Sequence, residues 1–176
     1  MSDKTSVEQE RKEAIENFAK LVSEIRVGML STVCTDGSIR SRPMLTAATK
    51  FDGDLWFFSE TADPKVAEIN SNDKVNVSYA SPDRRQYVSV CGTAEIVRDE
   101  TKAEVLWETA FARWFPKGRT QTDLSLIKVS VTGAEYWDSS QNTMVQFGGL
   151  VKGIVTGHRP DPLEHERIDW PSKAAT

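Results

Sequence analysis

The residues of this sequence best suited to chemistry lie in the turn over 59–65, where hydroxyl groups precede a lysine at the start of a short helix. Free N–H groups at a helix N-terminus attract anions, and Ser59 and Thr61 would add hydroxyl donors there. Lys65 lies at the unfavourable end of the helix dipole, which costs about 0.3–1 kcal/mol at an exposed position. A bound phosphate would turn that cost into an attraction. The alternative, which the turn alone favours, is a solvated lysine above a helix capped by Asp63.

Two arginines form a second candidate for binding an anion. Arg40 and Arg42 are two residues apart in a predicted strand, so their side chains point to the same side of it. Paired guanidinium groups suit a phosphate, because each fork can donate two hydrogen bonds to phosphate oxygens. A polar outer face would give the same pattern, and Gln86, at the start of a later strand, is equally unspecific by itself.

Histidine and cysteine are too scarce for several common kinds of site. The chain has two cysteines, Cys34 and Cys91, which are far apart, and two histidines, His158 and His165, which lie near its end. It contains no H-E-x-x-H, C-x-x-C or glycine-rich nucleotide motif. We therefore expect reduced thiols and no metal site. If the chain is an enzyme, a bound organic cofactor supplies the chemistry.

The composition is that of one globular domain. The chain has 176 residues, of which 39% are hydrophobic and 27% charged, and its net charge is -4. That acidic balance argues against a nucleic-acid partner, which needs clustered lysine and arginine. The longest strongly apolar run, over 55–58, is far shorter than the ~20 residues of a membrane span. We expect a cytoplasmic protein that binds neither nucleic acid nor membrane.

Periodicity divides the chain into three parts. Residues 1–26 are predicted to form a helix that packs on the rest, because apolar residues recur at spacings of three and four from Ile15 to Ile25. Residues 27–138 are predicted to form the main domain. Its strands are expected over 27–33, 39–48, 55–59, 74–80, 85–97, 124–131 and 133–137, with helices beginning at Pro64 and after Asp99. Residues 139–176 show no sustained period and are predicted to form an irregular tail.

The order of these elements predicts the fold class. Asp-Gly pairs at 36–37 and 52–53 indicate hairpin turns. Hairpins joined through a few helices are typical of an antiparallel β-barrel with helices outside, α+β in class and mainly β. Pro43 inside the second strand predicts an edge position, since proline cannot donate to the ladder.

Several segments, in their order and spacing, resemble the pyridoxamine 5′-phosphate oxidase-like flavoproteins. The resemblance covers roughly residues 10 to 140 and rests on many short pieces rather than on one motif. These are Arg42-Pro43-Met44-Leu45-Thr46, Gly53-Asp54-Leu55-Trp56-Phe57-Phe58-Ser59, Lys65, Val75-Asn76-Val77-Ser78-Tyr79 and Arg85-Gln86-Tyr87-Val88-Ser89-Val90-Cys91-Gly92-Thr93-Ala94-Glu95. Trp114-Phe115-Pro116-Lys117-Gly118 and Ala134-Glu135-Tyr136-Trp137-Asp138 are similar to the general stress protein branch of that family.

The resemblance implies a split-barrel homodimer that binds FMN, with FAD as the alternative flavin, in grooves at the subunit interface. In the family pattern an arginine on the second strand and a lysine at the start of the short helix hold the flavin phosphate, which points to Arg42 and Lys65. Hydroxyl groups assist them, and these correspond to Ser59 and Thr61. The strand around Met44, Leu45 and Thr46 would lie along the isoalloxazine ring. Pro43 and Phe58 would also belong to the cofactor site, and Gln86 would reach the flavin from the long strand.

The departures from the family pattern concern the substrate. The oxidases have Ser-Arg-Lys where this chain has Asp63-Pro64-Lys65, so one phosphate-binding arginine is missing and Asp63 adds a repelling charge. A lysine near the substrate is replaced by Ala47. The arginine-histidine motif of the oxidases is not matched by His158-Arg159. Oxidation of pyridoxamine 5′-phosphate is therefore the disfavoured function.

The function that the resemblance favours is a flavin-dependent oxidoreductase of unknown substrate, with a small molecule or NAD(P)H as electron donor. We identify no catalytic residue, because no side chain is an obvious general base. A flavin carrier or sensor without turnover is the main alternative. A split barrel that binds haem or a deazaflavin, and a structural dimer without a cofactor, are weaker ones.

Overall fold

In the part of the chain that the structure describes, seven antiparallel strands form one sheet, with three helices around it. The computed structural model describes residues 2–118, 123–138 and 165–169. Its helices are α1 (Ser2–Ile25), α2 (Pro64–Ser71) and α3 (Glu100–Leu106), and 3₁₀ turns cover Pro82–Arg84 and Thr109–Arg113. The strands are β1 (Val27–Val33), β2 (Ile39–Leu45), β3 (Asp54–Glu60), β4 (Lys74–Ser81), β5 (Gln86–Val97), β6 (Leu124–Asp138) and β7 (His165–Asp169).

The sheet curls into a barrel whose two outer strands meet at one end. Its strand order is β2-β1-β4-β5-β6-β3, and β7 pairs with β6 beside this path. Thr46 forms an isolated antiparallel bridge with Phe57, and the Ala47 N–H donates to the Trp56 carbonyl at 2.8 Å. β2 ends at Leu45, before the predicted position 48, because Thr46 turns to make this bridge. Pro43 lies on β2, the outer strand, as its missing donor predicts.

The barrel interior is the main core, and α1 covers part of it. Phe18 and Leu21 of α1 pack against strand residues such as Leu30, Phe57 and Val90. Burial alternates along β5, with Val88 and Val90 buried and the residue between them less buried. None of the helices in the described part of the chain is long and apolar enough to cross a membrane.

A second, smaller core lies on the other side of β3 and β6. Here Phe58 packs with Leu106, Phe111 and the partly buried Trp107. Asp99 caps α3 as predicted, accepting from the Lys102 N–H at 2.8 Å. The helix ends at Leu106, and the next turn is 3₁₀, which keeps the aromatic side chains on the sheet.

The last strands differ from the sequence-based expectation. The two strands predicted over 124–131 and 133–137 are one strand, β6, with a bulge where they were divided. The predicted irregular tail, 139–176, lies outside the described residues except for β7, which is regular. Its main chain pairs with the part of β6 that β3 leaves uncovered, from Gly133 to Trp137. Main-chain pairing of this kind requires little periodicity in the side chains, so the sequence does not predict β7.

Candidate functional site

Helix α2 brings the candidate anion-binding residues of the turn close to those of β2. Pro64 occupies the first helical turn, and Val66 and Ile69 are buried on the side that faces the barrel. Lys65 and Glu68 are three residues apart and therefore neighbours on the helix surface. Glu68 reaches the two arginines of β2, so one helix links both candidate groups.

Glu68 is the centre of this arrangement. Its carboxylate accepts from Arg42 Nη2 at 2.6 Å, from Arg40 Nη1 at 3.3 Å and from Thr32 Oγ1 at 2.5 Å. The thiol of Cys34 lies 3.5 Å from the same carboxylate. Arg40 and Arg42 thus share one side of β2, as their spacing predicts. The Glu68 side chain is 8% exposed and that of Arg42 18%, so this is a largely buried ion pair.

The surroundings of Glu68 keep it ionised. Burial alone would raise the pKa of Glu68, but the hydrogen bonds from Thr32 and Arg42 and the charge of Arg42 outweigh it. The pKa therefore lies below its ordinary value. The carboxylate is a permanent counter-ion to the arginines at neutral pH, not a group that exchanges protons there.

The turn before α2 carries a second ion pair. The Lys65 ammonium donates to the Asp63 carboxylate, and Ser59 Oγ donates to the same carboxylate oxygen at 3.0 Å. Thr61 Oγ1 donates instead to the carbonyl of Asp123 at 2.8 Å. Burial alone would raise the pKa of Asp63, but the hydrogen bonds from Lys65 and Ser59 and the charge of Lys65 outweigh it. The pKa of Asp63 therefore lies below its ordinary value.

Asp63 corrects one detail of the sequence-based prediction. It occupies the N-cap position of α2 with extended backbone, as expected, but its side chain makes no capping hydrogen bond. The carboxylate turns to Lys65 and Ser59 because a charged ammonium is a stronger partner than a main-chain N–H.

We call Arg40, Arg42, Asp63, Lys65 and Glu68 the α2 charge cluster. It holds three cations and two carboxylates, which leaves an excess of one positive charge in a partly buried setting. Such a cluster can bind an anion. Among the described residues no group of three or more His, Cys, Asp or Glu side chains is placed to hold a metal ion.

The residues of β2 and β3 that are expected to contact the flavin outside the phosphate corner lie in different environments. Pro43 is exposed, Met44 is 7% exposed in the main core, and Leu45 packs at the margin of the second core. Phe58 is 3% exposed, with its ring against Trp107. Within one chain, therefore, Pro43 is exposed, Leu45 is half-buried, and Met44 and Phe58 are buried.

Gln86 lies far from the α2 charge cluster in the same chain. Arg42 is in register with Leu30, Val77 and Val90, and Gln86 is four residues along β5 from that row. Three strand spacings of ~4.8 Å and four residues of ~3.3 Å give roughly 20 Å between them. Gln86 Nε2 donates to Asp138 at 3.2 Å, while its buried Oε1 has no hydrogen-bond partner in the described part of the chain.

A small cavity adjoins the end of β2. It lies between the end of α1 and the segment before β3, lined by Val22, Arg26, Thr46 and Phe51 among others. Its volume is about 40 Å³, room for about three water molecules and too small for a flavin ring. A flavin would have to lie on the surface of the chain rather than in this cavity.

Sequence reasoning missed Glu68 and Thr32. Glu68 had one available signal, its spacing of three from Lys65 on the same helix. Thr32 had none, because a threonine in a strand of apolar residues is typical of β structure. Both become functional candidates only through the contact between α2 and the β1–β2 hairpin.

Comparison with known proteins gives a consistent result. A family model described as "Pyridoxamine 5'-phosphate oxidase like" matches residues 13–161. Protein bli-3 of Neurospora crassa is 26% identical over 153 residues, which cover 81% of this chain and 73% of that protein. The match includes both β2 and α2, and so the whole α2 charge cluster.

Solved structures share the fold. General stress protein 26 of Bacillus anthracis is 26% identical with a TM-score of 0.62, covering 69% of this chain and 91% of that one. The general stress FMN/FAD binding protein of Xanthomonas citri is 24% identical with a TM-score of 0.64, covering 81% of this chain and 99% of that one. These likenesses confirm the antiparallel split barrel with peripheral helices.

Proposed function

Because the chain belongs to the pyridoxamine 5′-phosphate oxidase-like family, with which residues 13–161 align, we propose that it binds a flavin at the α2 charge cluster as a flavin-dependent oxidoreductase. FMN is the favoured cofactor and FAD the alternative. The similar protein of Xanthomonas citri, described as FMN/FAD binding, supports a flavin as the cofactor. When bound, the flavin would supply hydride transfer, while the residues of this chain bind and orient it.

The observation that carries the proposal is that helix α2 and its first turn hold two largely buried cations, Arg42 through Glu68 and Lys65 through Asp63. The side chains of Arg42 and Lys65 are only 18% and 12% exposed. Both have long, flexible side chains that would gain hydration by extending into water. Each is paired with a carboxylate, and together with Arg40 they leave an excess of one positive charge, which a phosphate group would suit.

A second copy of the chain would complete the site. Gln86 lies too far from Arg42 to share a flavin within one chain, and its buried Oε1 can still accept a hydrogen bond. Pro43 lies on the outward side of β2, beside the exposed Met29 of β1. We therefore propose a homodimer in which the flavin lies between the two copies, its phosphate on one copy and Gln86 contributed by the other.

The first test is a visible spectrum of the purified protein followed by FMN titrations of wild type and Lys65→Ala. We expect flavin absorption or saturable binding in wild type. Lys65→Ala should weaken FMN binding at least about tenfold, the effect of losing one charge-assisted hydrogen bond. Lys74→Ala is the matched control, because that lysine is 70% exposed at the start of β4, beyond the C-terminal end of α2. Equal FMN affinity in all three proteins, or no binding, would refute the proposed site.

A flavin carrier or sensor is the second candidate function. The carboxylates of the α2 charge cluster, Asp63 and Glu68, are both ion-paired with lowered pKa values. Neither is therefore suited to exchange protons near neutral pH. The test compares the reduction of bound flavin by NADH and NADPH with that of free FMN. Faster reduction and reoxidation on the protein indicate an enzyme, and equal or slower rates indicate a carrier.

A further inference from the structure

Asp63 is bonded to the groups that the proposed function assigns to the ligand. Its carboxylate accepts from the Lys65 ammonium and from Ser59 Oγ, and it leaves the N-terminus of α2 uncapped. A carboxylate in this position imitates part of a phosphate, since both are anionic oxygens that bind ammonium and hydroxyl donors. The cluster therefore holds an anion of its own.

The two carboxylates of the α2 charge cluster are held very differently. Glu68 has an 8% exposed side chain and donors from two strands, so it is fixed by the barrel. Asp63 is 34% exposed, and its side-chain partners, Ser59 and Lys65, lie within its own turn. Only rotation of its own side chain is needed to release Lys65 and Ser59. Asp63 is the exchangeable counter-ion and Glu68 the permanent one.

We propose that Asp63 is a specificity-determining residue that competes with the ligand's phosphate for Lys65 and Ser59. This inference rests on the proposed function, which makes that corner the phosphate site. With Asp63 in place, a dianionic phosphate meets an excess of one positive charge and must displace a carboxylate. Without it, the excess is two. The native site thus discriminates weakly between a phosphorylated flavin and its dephosphorylated form.

The test compares FMN with riboflavin, which has the same ring and no phosphate. Both are titrated by fluorescence quenching against wild type, Asp63→Asn and Asp63→Ser. The matched control is Asp73→Asn, which removes an exposed carboxylate beyond the other end of α2, paired with Lys74 at 3.1 Å. Circular dichroism melts of all four proteins establish that each is folded. Inorganic phosphate is titrated separately by calorimetry.

The expected result is tighter FMN binding by at least about tenfold in both Asp63 variants, because a competing charge-assisted hydrogen bond is removed. Riboflavin affinity should stay unchanged, and Asp73→Asn should match wild type for both flavins. Equal tightening of FMN and riboflavin, or unchanged FMN affinity, would overturn the role of Asp63 while leaving flavin binding intact.

If no protein binds either flavin, the proposed function is wrong, and the phosphate titration then decides about Asp63. Inorganic phosphate that binds the Asp63 variants at least about tenfold more tightly than wild type would preserve the competition as a property of an anion site. Equal phosphate binding by variants and wild type would overturn it.

Discussion

At the scale of single residues, Glu68 determines where the arginines of β2 point. Four donors from the β1–β2 hairpin converge on its carboxylate: Thr32, Cys34, Arg40 and Arg42. Arg42 Nη1 also donates to Thr32 Oγ1, which closes the network. In the proposed site Glu68 would thus be a positioning residue, because it would act on a bound phosphate through the arginines that it holds.

We expect Glu68→Gln to lower the free energy of unfolding by about 1.5–3 kcal/mol near neutral pH, the net value of hydrogen bonds to a charged group. Since the pKa of Glu68 is lowered in the folded state, its ionised form stabilises the protein fully at pH values above the ordinary pKa of 4.5. That stabilisation is lost as the pH falls through the lowered pKa. The difference between wild type and variant should therefore shrink in acid.

Urea unfolding of both proteins at about pH 7 and about pH 3.5 measures this difference. Glu16→Gln serves as the control, because Glu16 is exposed on α1 and its substitution should change stability little. A destabilisation of equal size at both pH values would show that the charge of Glu68 is not its source.

The sequence predicts the cations of this site better than their partners. The period of two places Arg40 and Arg42 on one side of β2, and the helix start places Lys65, because both facts are local. The involvement of Thr32 depends on how α2 packs against β1, a contact between segments more than thirty residues apart. Asp63 was placed correctly at the helix start, but the choice between main-chain and side-chain donors depends on where Lys65 finally points.

At the scale of elements, the pairing of β5 with β6 depends on one residue without a side chain. The register changes between Cys91 and Gly92, so that Thr132 of β6 is left over as a bulge. A Cβ on Gly92 would lie 2.6 Å from the carbonyl oxygen of Ser130. That oxygen belongs to the main chain of β6, and it cannot move away without disturbing the ladder.

Gly92→Ala should therefore destabilise the fold by roughly 1–3 kcal/mol, the range for overpacking in a core. Cys91→Ala is the neighbouring control, since Cys91 is exposed on the same strand and its loss should cost less than about 0.5 kcal/mol. Denaturant unfolding of both variants measures the two values. Similar stabilities for the two would indicate that β6 moves aside without cost.

The sequence predicts an element where apolar residues recur at a regular spacing. It does not predict an element whose position depends on main-chain pairing or on tertiary packing. The strands from 27 to 97 follow from apolar alternation and turn residues, and the structure has each of them. The sequence predicts two strands where the structure has one, β6, and the predicted division at Thr132 is the position of its bulge. The end of α3 at Leu106 has no local signal, because the packing of Trp107 and Phe111 on Phe58 determines it.

At the scale of the whole molecule, the outward face of β2, β1, β4 and β5 is unusually free of charge. Two rows cross these strands in register: Pro43-Met29-Ser78-Ser89 and Ser41-Ser31-Asn76-Cys91. Their polar side chains bond mostly to one another, as Ser31 does with Ser41 at 2.7 Å and Asn76 with Ser89 at 3.0 Å. Met29 and Val27 stand 42% and 47% exposed beside them. A face of mostly small side chains, whose polar groups bond to one another, suits contact with another protein surface.

If a second copy covers this face, a charge at its centre should separate the copies. In a two-fold dimer each substitution enters the interface twice, so Met29→Lys introduces two buried like charges. Repulsion and desolvation of this kind cost several kcal/mol, and the dimer dissociation constant should rise by more than about 100-fold. Val105→Lys is the control, because Val105 is 75% exposed on α3, away from this face.

Sedimentation equilibrium combined with FMN titration separates the contribution of the dimer contact from that of the phosphate corner. Met29→Lys should sediment as a monomer and bind FMN weakly, because Gln86 of a second copy no longer completes the site. Lys65→Ala should remain a dimer while binding FMN weakly, since its defect lies in the phosphate corner alone. A Met29→Lys protein that is monomeric yet binds FMN as tightly as wild type would show that one chain suffices for the flavin. A dimer undisturbed by Met29→Lys would show that the copies meet through another surface.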